Sequence, residues 1–156
     1  MPNKYVFPGG AVDDVDHSGI CDGQIDERLG ENALGLYVAA MRELLEETGL
    51  RLPPRVDVLR FVFRAITPPG RPRRFDARFF IAQAADVTND LDDFSEACDE
   101  LSHLHWIGLT EARGLALPFI TSVVLSEVEA LVKAPNAAHR APFFYHEDGR
   151  SHFALL

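Results

Sequence analysis

Nowhere in this chain of 156 residues do eighteen apolar residues run together, so no membrane-spanning helix is expected. The opening "MPNKYVFPGG" has no apolar stretch long enough for a secretory signal. A cytoplasmic location is the resulting expectation. Cysteine is scarce: Cys21 and Cys98 form no CxxC pair, which excludes a thiolate zinc site and a disulfide framework and leaves two free thiols. No internal repeat and no low-complexity segment appears. Positive charge is short too. The net charge of −9 excludes general nucleic-acid binding. The one basic cluster is "RPRRF", residues 71–75, in a proline-rich stretch.

What is present fits one domain over residues 1–156, with hydrophobic content of 47% and charged content of 25%, ordinary for a globular chain. "KYVFPGGAVDD" reads as a short strand halted by Pro8, Gly9 and Gly10. The polar, glycine-bearing run that follows reads as a loop insertion over about residues 11–33. From Leu36 to Thr48 the period becomes helical, with Tyr37, Met41, Leu44 and Leu45 as its apolar stripe, Gly49 as the cap and Pro53-Pro54 as the stop. "VDVLRFVFRAIT" and "RFDARFFIAQA" predict two strands paired across a long loop, and "HLHWIGL" predicts another short strand. Thr110 is expected to cap a short turn through Arg113. Pro118 opens a longer helix, and Asp148-Gly149 marks a hairpin turn near the C-terminal end. Strands alternating with two main helices imply an α/β fold with a mixed sheet packed between helices.

"RELLEETGL", residues 42–50, places Glu43, Glu46 and Glu47 on one helical face. Like charges at that spacing cost about 0.2–0.5 kcal/mol per exposed pair. Arg42, one turn from Glu46, offsets only part of this. A solvated acidic face is the plain explanation. The sharper one is a hard divalent cation, because magnesium takes oxygen ligands and binds one or two carboxylates plus substrate phosphates. An acidic calcium loop at "DVTNDLDDFSE" is excluded by its lack of the central glycine and of EF-hand spacing.

"FPGG" followed by "RELLEETGL" resembles the Nudix hydrolase signature, G-x5-E-x7-R-E-U-x-E-E-x-G-U with U apolar. Arg42, Glu43, Leu44, Glu46, Glu47, Gly49 and Leu50 all match. Counted back from Arg42, the first glutamate falls on Leu34 and the glycine on Arg28, so about 18 residues stand inserted between Gly10 and Arg42. Asp26, Glu27 and Glu31 are the candidates for the displaced acid. "ITPPGRPRRFDARFF" is similar to a long-insert branch that includes a peroxisomal-type CoA diphosphatase.

The resemblance implies a Nudix-type α/β/α sandwich, here short of the usual N-terminal strands. It implies a metal-dependent hydrolase that cleaves a diphosphate linkage in a nucleoside diphosphate derivative, CoA or acyl-CoA within that branch. Mg2+ or Mn2+ would be the cofactor. Glu43, Glu46 and Glu47 would be ligands, Glu43 alternatively the base for water, and Arg42 would orient a glutamate. The carbonyl of Gly9 and the loop acid Glu100, with Glu96 as second choice, would complete the ligand set. Arg73, Arg74 and Phe75 would contact substrate. A non-catalytic Nudix domain that binds a nucleotide or a partner protein is the alternative. The expected partners are a small-molecule diphosphate and further copies of the chain, with neither nucleic acid nor membrane.

Overall fold

The computed structural model describes residues 4–156, and the chain forms two compact units. One comprises residues 4–6, 61–81 and 108–156. The other comprises residues 7–60 and 82–107.

The first unit is built on a mixed four-stranded sheet ordered β2-β1-β3-β4, with β1 at Arg60–Ile66, β2 at Asp76–Ile81, β3 at Pro142–Glu147 and β4 at Arg150–Leu155. The α/β reading of the sequence therefore holds. β1 and β3 run parallel, with Arg64 opposite Phe143, whereas β3 and β4 form an antiparallel hairpin. Asp148 and Gly149 close that hairpin with φ of 50° and 73°. Positive φ at both central positions suits the right-handed twist of a two-residue turn, which is why Asp-Gly serves here. Phe61, Val62, Phe63 and Ala65 of β1 are buried, so the continuous apolar run of that strand reflects cover on both faces. Phe153 meets Phe63 and Phe144 with ring centroids at 6.2 and 5.0 Å. The α-helix at Phe119–Lys133, α3, follows the N-capping Pro118 and buries Val124, Leu125 and Leu131.

The second unit centres on α1, Ala33–Thr48. Gly49 ends it in the left-handed conformation at φ 76°, its N–H donating to the Leu45 carbonyl. The side chain of Asn89 then ties the exit, accepting from Arg51 N–H at 2.9 Å and donating to Gly49 O at 2.9 Å.

Four local expectations fail for physical reasons. Residues 4–10 form no strand, and Tyr5 N–H donates instead to Ala116 O at 3.1 Å. "HLHWIGL" forms none either: Trp106 is more than half exposed and its indole donates back to Leu91 O. The short helix α2, Leu109–Ala112, is capped by Gly108 rather than by Thr110. In α1 the buried residues Ala33, Gly35, Tyr37 and Ala39 fall on two sides of the helix, while Met41, Leu44 and Leu45 are only half-buried.

The insertion packs on α1 and is not the irregular loop expected. It forms 3-10 turns at Asp14–Ser18 and Glu27–Leu29. Asp22 bridges to residues 54–56 through two backbone hydrogen bonds of 2.8 Å. A Cβ on Gly35 would stand 2.8 Å from His17 Nδ1. Glycine to alanine inside a helix ordinarily stabilises by about 1 kcal/mol. Here Gly35→Ala is expected to destabilise the chain, and adding His17→Ala is expected to restore or exceed parental stability. Urea denaturation of the single and double variants checks this. A stabilised Gly35→Ala single variant would show that the turn does not press on the helix.

Candidate active site

Arg42 organises the carboxylates of the second unit. Its Nε donates to Asp16 Oδ1 at 3.0 Å and its Nη2 to Asp16 Oδ2 at 2.9 Å, a bidentate pairing. Nη2 also donates to the carbonyl of Ala11 at 3.0 Å. Nη1 donates to Glu43 Oε1 at 2.9 Å and to Glu46 Oε2 at 3.1 Å. The guanidinium thus spans from the insertion to the acidic face of α1. Its acidity is weakened further by Asp16 first and Glu43 next, and it is charged at any working pH.

Asp16 is the residue the sequence reading missed. Its side chain is 1% exposed. The 3-10 turn holds it, because Asp13 N–H donates to its Oδ2 at 2.8 Å. The Arg42 hydrogen bonds keep its carboxyl below the usual aspartate range, against the opposing effect of burial. The three acids considered for this place do other things or stand apart. Asp26 pairs with Arg28, and Glu27 and Glu31 are exposed. The signal was present in the sequence: counted forward from Gly10, the sixth residue is Asp16, a shorter carboxylate in the motif's glutamate position. The insertion therefore lies between Asp16 and Arg42 rather than directly after Gly10.

The glutamates differ sharply in environment. The Glu46 side chain is 53% exposed and that of Glu43 13% exposed. Glu47 is buried and accepts Gly9 N–H on Oε2 at 2.7 Å. Burial first raises the Glu47 carboxyl above its ordinary value, and the negative charges of Glu43, Glu100 and Glu46 raise it further, while the Gly9 bond works the other way. Gly10 approaches so closely that a Cβ there would meet Glu43 Oε1 at 2.2 Å. The two glycines thus bring bare backbone against two glutamates of α1. It is the amide of Gly9, not its carbonyl, that makes the observed contact.

Loop 89–100 supplies the remaining acids. Cys98 N–H donates to Glu46 O at 2.8 Å, which fastens the loop to the last turn of α1. Glu96 pairs with Arg51 at 2.8 Å, whereas Glu100 is exposed and adds its charge to the field at Glu47. Arg73, Arg74 and Phe75 belong to the first unit. There Arg74 Nε donates to Thr67 O at 3.1 Å, Phe75 exchanges bonds with Thr67, and Phe75 is 58% exposed.

The donor set suits a hard divalent cation: hard oxygen donors on one helix face, with one of them buried among like charges that a cation would relieve. Among the described residues no three His, Cys, Asp or Glu side chains already form a metal shell. Arg42 draws Glu43 and Glu46 toward itself through one oxygen of each.

A groove of about 430 Å³ runs beside Arg42, lined by Ile20 of the insertion, by Val38, Met41 and Leu45 of α1, and by Leu52 and Pro53. Met41 and Leu45 of α1 thus line a groove and are not sealed in the interior.

A family model described as the NUDIX domain matches residues 1–124. No curated protein and no solved structure matches the chain. With four-fifths of the sequence matched, and with Arg42, Glu43, Glu46 and Glu47 arrayed on α1 above the two glycines, the chain belongs to the Nudix family and is a Nudix-type hydrolase acting on acid anhydrides.

Proposed function

We propose that this protein hydrolyses the diphosphate linkage of a nucleoside diphosphate derivative, with CoA or acyl-CoA the specific substrate. The observation that carries the metal-dependent chemistry is Glu47, buried within the negative field of Glu43, Glu46 and Glu100. Glu46 and Glu47, with Glu43, Glu100 and the carbonyl of Gly9, would hold Mg2+ or Mn2+. When bound, such a cation lowers the pKa of a coordinated water and neutralises phosphoryl oxygens. Arg42 fixes the rotamers of Glu43 and Glu46. A water oxygen bonds to phosphorus as the anhydride P–O bond breaks, and a glutamate carboxylate, Glu43 by position, takes the water's proton. Arg73, Arg74 and Phe75 would meet the phosphate and ring of the substrate, and Ile20 and its groove make the insertion a specificity element.

One observation favours the non-catalytic reading: Arg42 engages two of the three glutamates. A panel of nucleoside diphosphate derivatives, dinucleoside polyphosphates and CoA, assayed by coupled phosphatase release with Mg2+, Mn2+ or EDTA, separates the two. Metal-dependent turnover with CoA preferred is expected. Binding without turnover under every condition would leave the domain a nucleotide-binding module.

The compartment proposed is the cytoplasm, and no helix among the described residues is long and apolar enough to cross a membrane. Self-association is proposed through edge strand β4, where Phe153 and Leu155 are 60% and 54% exposed. Sedimentation at low concentration tests it.

A further inference from the structure

Charge is divided unevenly between the units. Residues 7–60 and 82–107 carry five Lys and Arg against eighteen Asp and Glu, whereas residues 4–6, 61–81 and 108–156 carry ten against six. An anionic ligand held without a cation is therefore favoured on the sheet unit. One face of that sheet carries a continuous stack of flat groups. The Arg64 guanidinium lies over the Phe143 ring at 4.3 Å. Phe143 stacks on Tyr145 at 4.8 Å and 25°, and Tyr145 stacks on His152 at 5.1 Å and 19°. Strand register causes this: Arg64 stands opposite Phe143, and Tyr145 opposite His152. All four groups are half-buried, neither sealed nor loose.

The stack is tied to a cationic cluster. Asp76 holds both Arg64 and Arg78, at 2.8 and 2.7 Å, so two guanidinium groups share one carboxylate and one positive charge is left over. Arg78 Nε is buried with no acceptor, although buried donors are almost always satisfied. A purely structural stack has no need of the surplus charge. Stack and charge together match a planar π system joined to an anion. β3 and β4 lie beyond the stretch that the family model matches, so family membership assigns them no role.

We propose that Arg64, Arg78, Phe143, Tyr145 and His152 form a nucleotide-recognition face, on which a base extends the stack and a phosphate is held by the guanidinium groups. This rests on the hydrolase reading only in taking the ligand to be a nucleotide, and the binding itself needs no metal. The test is calorimetric titration of the full chain in EDTA with AMP, adenosine, ribose 5-phosphate and inorganic phosphate. AMP is expected to bind at least about tenfold more tightly than any of the other three, because each lacks either the stacking or the charge. Tyr145→Ala and His152→Ala are each expected to weaken AMP by about tenfold while leaving inorganic phosphate unchanged. Arg64→Gln is expected to weaken AMP and inorganic phosphate alike. Circular dichroism confirms the fold of each variant. Equal affinity for AMP and inorganic phosphate, or AMP binding untouched in folded His152→Ala and Tyr145→Ala, would overturn the proposal. The two readings fail separately. AMP binding that follows this pattern in a chain with no turnover sinks the hydrolase reading alone, and turnover without the pattern sinks the recognition face alone.

Discussion

Glu47→Gln is expected to lower turnover by at least about a thousandfold and, in EDTA, to raise the melting temperature. The first effect follows from the proposed ligand role. Metal stabilisation of a phosphoryl transition state is worth several kcal/mol, and about 1.4 kcal/mol is a factor of ten in rate. The second follows from the environment of the carboxylate. A buried glutamate surrounded by three like charges costs folding energy while ionised, and its raised pKa expresses that cost. The sign is opposite to that of an ion-paired acid. The folded state holds the proton more tightly than the unfolded one, so the metal-free parent gains stability as pH falls from neutrality toward the ordinary glutamate range near 4.5. Glutamine still accepts the Gly9 N–H, so the variant keeps the contact and loses both the penalty and the slope. Glu46→Gln is expected to lose turnover similarly with little thermal shift, because its side chain is half exposed. Turnover of Glu47→Gln within tenfold of the parent would remove it from the ligand set.

The legible parts of this protein are those encoded over short distances. Nine contiguous residues carry the helix, the glutamates and the Gly49 cap, and Asp148-Gly149 carries the hairpin turn, because local φ requirements leave few alternatives. The false strands at residues 4–10 and 103–109 have the right residue types, but a strand exists only through a partner, and partners are set by tertiary structure. The burial of α1 was misread for a related reason. Gly35 marks the close approach of the insertion, and Met41 and Leu45 line a groove instead. Asp16 escaped because the motif was counted backward through an insertion of unknown position. Only the fold shows which acid reaches Arg42 across 26 residues of chain. The stack on the sheet was invisible, since it joins residues 64 and 143 through a parallel pairing.

Asp16→Ala is expected to be the most destabilising single substitution at the site. It leaves Arg42, whose side chain is 21% exposed, without its bidentate partner. Removing one member of a buried pair costs about 3–5 kcal/mol, and the partial exposure of Arg42, with Glu43 and Glu46 still in reach, sets the lower end of that range. Asp16→Asn keeps one acceptor and is expected to cost less. The pH dependence identifies the cause. Asp16 is held below the ordinary aspartate value of 3.8, so its contribution is fully present above that value and is lost as pH falls through the lower folded one. Parent and variants should therefore differ most at neutral pH and converge in strong acid, as measured by urea denaturation from pH 7 down to pH 2. Turnover should fall more than stability alone explains, because a guanidinium released from Asp16 pulls harder on Glu43 and Glu46. A double-mutant cycle with Arg42→Gln isolates the pair. Additive losses, or a pH-independent difference between parent and Asp16→Asn, would show that Asp16 supports the insertion through packing and does not anchor Arg42 of α1.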